Sequence, residues 1–303
     1  MNKELASLCV LTYNQIDYVE DAVTSALNQD YSPLEIIFSD DGSSDGTFEK
    51  IKEIVSLYKG PHKVVINQNN SNLGIREHVN KVLYDMSHGK YLLLGAGDDI
   101  SDAHRVSEYV GYFQKFPDVM SISCLSKVID KEGKCLNPTA LWNNKITLYS
   151  LDDYASWPYF FMNSGDSRGI RRDVITSFHR MQYSRDEDIF LYIRSLLLGS
   201  ALYIRSPLVS RRMTGNNTSA SFSSKALLSG MRKQLDSDIK YAYDHKYIRD
   251  NEYQMAKQKL NYLMDYFCIY TTNPKSSLKV LFYRLLRHNL KLIRYYPVDT
   301  PWQ

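Results

Sequence analysis

The chain has 303 residues, 44% of them hydrophobic, enough for one large core or for a core with a smaller extension. Its net charge of +3 is too weak to mark a nucleic-acid binder. The longest apolar run, residues 195–204, is flanked by Arg194 and Arg205 and is too short to span a bilayer. The four cysteines (Cys9, Cys124, Cys135, Cys268) lack paired spacing, which reads as reduced thiols in a cytoplasmic setting without structural zinc. Residues 1–4 run directly into a strand pattern, so no signal peptide is expected.

In chain order, residues 7–12 read as a buried strand and Tyr13-Asn14-Gln15 as the turn after it. Val19, Ala22, Val23, Ala26 and Leu27 recur at helical spacing over residues 18–29, and Tyr31-Ser32-Pro33 ends that helix. Residues 34–38 form a second strand, closed by Asp40-Asp41-Gly42-Ser43-Ser44-Asp45-Gly46-Thr47. Its glycines suit unusual backbone angles, and Asp45 suits the N-cap of a helix over 47–58. A third strand at 64–66, a polar loop over 67–74 and a helix bearing Val79, Val82, Leu83 and Met86 lead to the run Tyr91-Leu92-Leu93-Leu94-Gly95-Ala96-Gly97-Asp98-Asp99. This alternation predicts a three-layer α/β domain around a mostly parallel sheet.

Two strand ends, Asp40-Asp41 and Asp98-Asp99, thus bring carboxylates to one sheet edge beside the Thr12-Tyr13-Asn14 turn. The carboxyl edge of such sheets is where ligands sit. Adjacent acids repel each other and need a cation, a hydrogen-bonding sugar or water. Gly95, Ala96 and Gly97 leave room for something bulky beside them.

Downstream, a helix over 104–116, a strand over 120–129 and a hairpin turn at Lys131-Glu132-Gly133-Lys134 are expected. Residues 136–172 form a long irregular stretch rich in aromatic residues, a composition that argues against disorder. Arg185-Asp186-Glu187-Asp188 opens a helix, where acids favour the macrodipole whatever else they do. A strand pair at 201–204 and 208–213 follows. From Lys225 onward only helices are expected, so a boundary falls near Ser224. The final segment, 277–296, has a wide apolar face and a run of basic residues. It reads either as an interfacial membrane helix or as a basic helix packed on the main domain.

Taken together, Thr12-Tyr13-Asn14, Gln29, Asp40 to Thr47, Asn72-Leu73-Gly74, Asp98-Asp99 and Glu187-Asp188 make residues 5–221 resemble glycosyltransferase family 2. The resemblance implies a GT-A fold over 1–224, with a nucleotide-sugar half (about 1–100), an acceptor half (about 101–224) and a helical C-terminal extension over 225–303. It implies inverting transfer of a hexosyl or N-acetylhexosaminyl group from a nucleotide diphosphate sugar, most often UDP-linked, to a glycan hydroxyl. A lipid-linked acceptor for bacterial surface polysaccharide, met at the inner face of the cytoplasmic membrane, completes that expectation. By the same resemblance Thr12 and Tyr13 hold the base, with Asn14 and Asn72 in the nucleotide-sugar motifs, and Asp41 or Asp40 accepts the base N–H. Asp98 and Asp99 bind ribose and a divalent Mn²⁺ or Mg²⁺, and Asp188 is the general base.

Two positions depart from the family pattern. Ala96 stands where many members carry a further Asp, and Arg212 is followed by Met213-Thr214 where a His two residues after an Arg is common. Arg211 or Arg212 could take over the contact of that His. A sugar-1-phosphate nucleotidyltransferase would need a Gly-rich basic turn after the first strand, and residues 11–15 offer none. A Rossmann dehydrogenase lacks its Gly-x-Gly-x-x-Gly there. A non-catalytic nucleotide-sugar-binding or scaffold protein is the remaining alternative.

Overall fold

Strands that are apolar on both faces must lie between two helical layers, and the first strands of the computed structural model, which describes residues 3–136, 146–153, 167–183, 187–214 and 225–272, do so. The strands β1 (Ala6–Thr12), β2 (Leu34–Asp40), β3 (Lys63–Gln68) and β4 (Tyr91–Ala96) pair in parallel in the order β3-β2-β1-β4. Helices α1 (Val19–Leu27) and α2 (Thr47–Leu57) cover one face, packing on Leu8, Val10, Ile36, Phe38 and Leu93. Helix α3 (Ile75–Asn80), continued by a π-turn over Lys81–Met86, covers the other face against Cys9, Ile37, Leu92 and Leu94. The alternation along each strand therefore sorts side chains into two cores.

Beyond β4 the sheet becomes mixed. The short β5 (Ile100–Ser101) leads into α4 (Arg105–Lys115) and β6 (Val119–Ile129). The expected hairpin turn is present: the Asp130 amide donates to the Lys134 carbonyl at 2.9 Å, with Gly133 at φ 87°. β7 (Ile146–Tyr149) and β8 (Gly169–Arg171) arise within the aromatic stretch that reads as irregular in sequence. β8 is only three residues long and runs antiparallel between β4 and β6, with arginines on both sides of its apolar centre. Arg171 explains the break in pattern: its guanidinium lies 5.2 Å from the Phe113 ring and donates to the Phe113 and Phe116 carbonyls at the end of α4.

The expected strand pair at 201–204 and 208–213 is instead one strand, β9 (Ser200–Arg212), parallel to β6. Pro207 lacks an N–H and sits at the register shift opposite Leu125, where a bulge absorbs the missing ladder bond. The full order is β3-β2-β1-β4-β8-β6-β9-β5, with β7 also on β9. Parallel pairing thus holds for the first four strands and for β6 with β9, and four antiparallel pairings complete the sheet.

Helices α5 (Asp173–Thr176) and α6 (Glu187–Leu198) sit on the α3 side, with the hairpin α7 (Lys225–Asp244) and α8 (Asp250–Thr272) outside them. The α7–α8 hairpin shares the domain's core: Met231, Leu235, Ile239, Leu260 and Leu263 join the cluster built on Phe190, Ile193 and Leu197. A buried bidentate pair fastens it, with Arg194 Nε and Nη2 at 2.7 and 2.9 Å from the Asp238 carboxylate. Asp238→Ala strands that guanidinium in the core, so a loss of about 3–5 kcal/mol of stability is expected. Urea unfolding measures it, and a loss below about 1 kcal/mol would show that α7 is not locked by this pair. The basic segment 277–296 lies outside the described residues, and among those described no helix is long and apolar enough to cross a membrane.

Candidate functional site

Every strand that ends in an acid or in Arg212 ends at the same edge. Thr12 on β1 pairs with Asp40 on β2, Leu11 with Ala96 on β4, and β9 delivers Arg212 alongside. Helix α6 starts at that edge too. Arg168 accepts the Leu94 amide on its carbonyl at 2.8 Å and donates to the Asp188 carbonyl at 3.4 Å. The first turn of α6 is therefore within the reach of one arginine side chain from the end of β4.

The turn after β1 is stitched to the turn after β2. Asn14, at φ 51°, donates its amide to Ser43 Oγ at 2.8 Å and accepts the Ser44 amide at 3.0 Å. Asp45 accepts the Ile16 amide at 3.0 Å and both the amide and hydroxyl of Thr47. Asp45 is thus a clasp one position before the N-cap; the cap itself is Gly46, at φ 96°. These clasps leave Tyr13 at the surface, 45% exposed.

Thr12 and Asp40, which the resemblance puts against a nucleotide, end the two paired strands here. Both are buried, and Thr12 Oγ1 donates to Asp40 at 3.0 Å. Asp40 also takes the Ser43 amide and hydroxyl at 2.8 and 2.5 Å and Gln68 Nε2 at 3.4 Å, which fills the acceptor sites of a carboxylate. These bonds brace the turn after β2.

Asp41 organises the loop on the other side. It accepts Asn69 Nδ2 at 2.8 Å and the Leu73 and Gly74 amides at 2.9 and 3.0 Å. Asn69 is held in turn by Lys81 Nζ at 2.6 Å. Gly42 makes the approach possible: at φ 75° a Cβ there would stand 2.8 Å from the Ser71 carbonyl carbon. Asn72 stays exposed, its Oδ1 accepting the Gly74 amide. The bracing by Asn69 and Lys81 escapes a motif search; its only trace is the polar run from Asn67 to Asn72.

His78 lies under this loop, almost wholly buried, with Nε2 2.8 Å from Ser39 Oγ. Burial pushes the imidazole below its ordinary value, against the upward pull of Asp41 and Asp40; the Lys81 charge also lowers it. The unfolded state therefore binds the proton first. Stability from neutral His78 is complete above about pH 6.5 and declines as pH falls below that value. Melting temperatures measured from about pH 8 to about pH 5, on either side of the ordinary imidazole value of about 6.5, should fall less steeply for His78→Gln than for wild type. Parallel curves would remove His78 from the account.

Gly97 does not clear space for a ligand, as its sequence suggests. A Cβ there would lie 2.5 Å from Gln15 Oε1 and 2.6 Å from Thr12 Cγ2, so the room is taken by the chain's own side chains. Gly95 has only ordinary contacts, the nearest being Val10 Cγ2 at 3.6 Å.

Asp98 is half-buried, and Asp99 is buried with Oδ1 accepting the Arg212 amide at 2.8 Å. Among the described residues no three His, Cys, Asp or Glu side chains converge into a metal cage. One or two carboxylates are nevertheless what Mg²⁺-type sites use when substrate phosphates complete the shell. The donor set fits a cation shared with a diphosphate. Asp188 is half-buried at the head of α6, its Oδ1 accepting the Ile189 amide at 2.8 Å. Arg168, missed in the sequence pattern because an arginine is rarely fully buried, reaches Ser123 Oγ at 3.0 Å and lies over the Tyr192 ring beside it.

The family model described as Glycosyl transferase family 2 matches residues 7–178. An uncharacterized glycosyltransferase of Haemophilus influenzae is 28% identical over 228 residues, covering 72% of this chain and 68% of that protein. Chondroitin synthase of Escherichia coli is 25% identical over 218 residues, which are 71% of this chain and 30% of the longer enzyme. Among solved structures, S. aureus TarS 1-349, in complex with UDP-GlcNAc, superposes with a TM-score of 0.66 at 16% identity, covering 95% of this chain and 81% of TarS 1-349. That likeness is one of fold.

Proposed function

Given that this chain belongs to glycosyl transferase family 2 and is a glycosyltransferase by that membership, we propose that it moves a sugar from a UDP-sugar, with inversion, to an acceptor sugar hydroxyl. The acceptor in this reading is a lipid-linked glycan destined for a bacterial surface polysaccharide. The observation that carries it is the meeting, on one sheet edge, of the exposed Tyr13–Asn14 turn, the Asp41 loop, Asp98-Asp99 and Asp188. The chondroitin synthase relative supports the polysaccharide setting, and the resemblance of 5–221 supports the UDP donor.

Each residue has a role that its surroundings suit. The Tyr13 ring is free to stack on the base. Asp41, with three of about four acceptor sites used inside the fold, takes the base N–H; Asp40 has none to offer. Asn14 and Asn72 stand exposed on either side of that contact. Asp98 and Asp99 would hold a divalent cation that offsets the charge gathering on the departing diphosphate. Asp188 takes the proton of the acceptor hydroxyl as its oxygen bonds the anomeric carbon and the bond to the diphosphate oxygen breaks.

Purified protein, screened with UDP-, GDP- and dTDP-sugars in Mn²⁺ or Mg²⁺, should release nucleotide diphosphate from a UDP-sugar when acceptor glycan is present. Tight UDP-sugar binding without turnover on any acceptor would favour the scaffold reading. Release from a GDP- or dTDP-sugar alone would overturn the UDP assignment. The same proposal brings 277–296 to the inner membrane surface. Binding to anionic vesicles that falls with salt is its expected result, and a protein indifferent to such vesicles at low salt ends it.

A further inference from the structure

Arg212 is a candidate, from sequence, for a phosphate or metal contact, yet its guanidinium is turned into the protein. The side chain is 3% exposed. Nε donates to the Asp98 carbonyl at 3.2 Å, and Nη1 donates to the Asp130 and Lys131 carbonyls at 3.3 and 2.7 Å. Nη2 makes an ion pair with Asp21 Oδ2 at 2.7 Å, and the plane lies 5.1 Å from the Tyr18 ring. The amide of the same residue donates to Asp99 Oδ1 at 2.8 Å. One residue therefore touches both acids, through main chain on one side and side chain on the other.

We infer that Arg212 is a positioning residue for the Asp98-Asp99 turn, setting the carboxylates toward a cation by tying the turn to α1 and to the hairpin at 130–134. The physical argument is one of freedom. Two adjacent acids on a short turn repel each other and would splay apart, which lowers affinity for any cation they share. The Arg212 amide fixes the Asp99 carboxylate on one side. The planar guanidinium fork grips the Asp98 carbonyl and two hairpin carbonyls in a geometry that a lysine point charge cannot copy. Asp21, on α1, neutralises the buried charge and sets the angle of the fork. The sharing of load matters here because Ala96 supplies no third carboxylate.

This inference rests on reading Asp98 and Asp99 as cation ligands, and the test separates the two. Arg212→Lys and Asp21→Ala are compared with wild type for UDP affinity by calorimetry, without metal and across a Mn²⁺ series. Asp21 is 58% exposed, so water reaches the guanidinium end that its removal uncovers, and the melting temperature of each variant is read beside the calorimetry to keep binding apart from folding. Arg212→Lys should raise the Mn²⁺ concentration needed for half of the affinity gain by about 10- to 100-fold, as losses of outer-shell support do. Asp21→Ala should move it the same way by less. Metal-free UDP affinity should stay at the wild-type level in both. Variants that match wild type across the Mn²⁺ series overturn the inference and leave the family reading intact. A fall in metal-free and metal-loaded affinity together overturns it as well, since Arg212 then only supports the nucleotide pocket. A wild type that binds UDP but ignores Mn²⁺ overturns the cation reading and the inference with it, and one that binds no UDP overturns the donor assignment first.

Discussion

Asp188→Asn is expected to lower sugar transfer by at least about a hundredfold, the low end of what a positioned general base supplies, while UDP binding and the melting temperature stay near wild type. Asparagine has the same shape and keeps an oxygen for the Ile189 amide, so the head of α6 is preserved. What it loses is the ability to take a proton. The anomeric carbon develops cationic character as the diphosphate leaves, and the attacking hydroxyl must shed its proton on the opposite face. Single-turnover rates with saturating donor report that step alone. Transfer within a few-fold of wild type would place the base elsewhere, and Glu187, one residue earlier in the same turn, would be tested next.

Asp99→Asn should remove the gain in UDP affinity that Mn²⁺ provides. Loss of outer-shell support alone costs about 10- to 100-fold in metal affinity, so loss of a ligand should cost at least as much. The amide variant is preferable to alanine, which would leave the buried Arg212 N–H without its acceptor and confuse binding with unfolding. Calorimetry of UDP with and without Mn²⁺, read beside the melting temperature, separates the two effects. Asp98→Asn should show a smaller loss, because the half-buried Asp98 is nearer solvent and water can take its place in the shell. If Asp99→Asn retains the full Mn²⁺ response, the cation sits on other groups.

Much of the site is written in local pattern. Residues 8–11, 36–38 and 91–94 are apolar without interruption, and strands buried on both faces have that pattern whatever surrounds them. The acids that follow them must then reach a common edge, because parallel strands joined by helices end on the same side. Asp40, Asp41, Asp98 and Asp99 were legible for that reason. Which of them keeps acceptor sites to spare was not. Asp40 and Asp41 are adjacent and chemically identical, and only the positions of Thr12, Ser43 and Gln68 show that Asp40 is saturated.

Pattern was weakest where buried polar groups interrupt it. Arg168 and Arg171 hide β8, since each arginine satisfies its charge against carbonyls and aromatic rings that come from distant strands and helices. Pro207 splits β9 in sequence, while the bulge opposite Leu125 lets the strand run through it. The α7–α8 hairpin reads as a helical extension because it has no strands, and only the structure shows its apolar face packed into the core over α6.

By itself, then, the sequence determined the alternation of strand and helix, the edge that carries the acids and the family to which the chain belongs. Periodicity and motif spacing are short-range properties, decided within a dozen residues by which side chains can share a face. Tertiary structure alone decided that Arg212 grips the turn at Asp98-Asp99, that Gly97 makes room for Gln15 and Thr12, and that Arg194 meets Asp238. Arg212 and Asp99 are 113 residues apart, and their contact depends on β9 lying parallel to β6 and ending beside the turn after β4. Strand order of that kind is settled by the packing of whole layers and leaves no local mark on either residue.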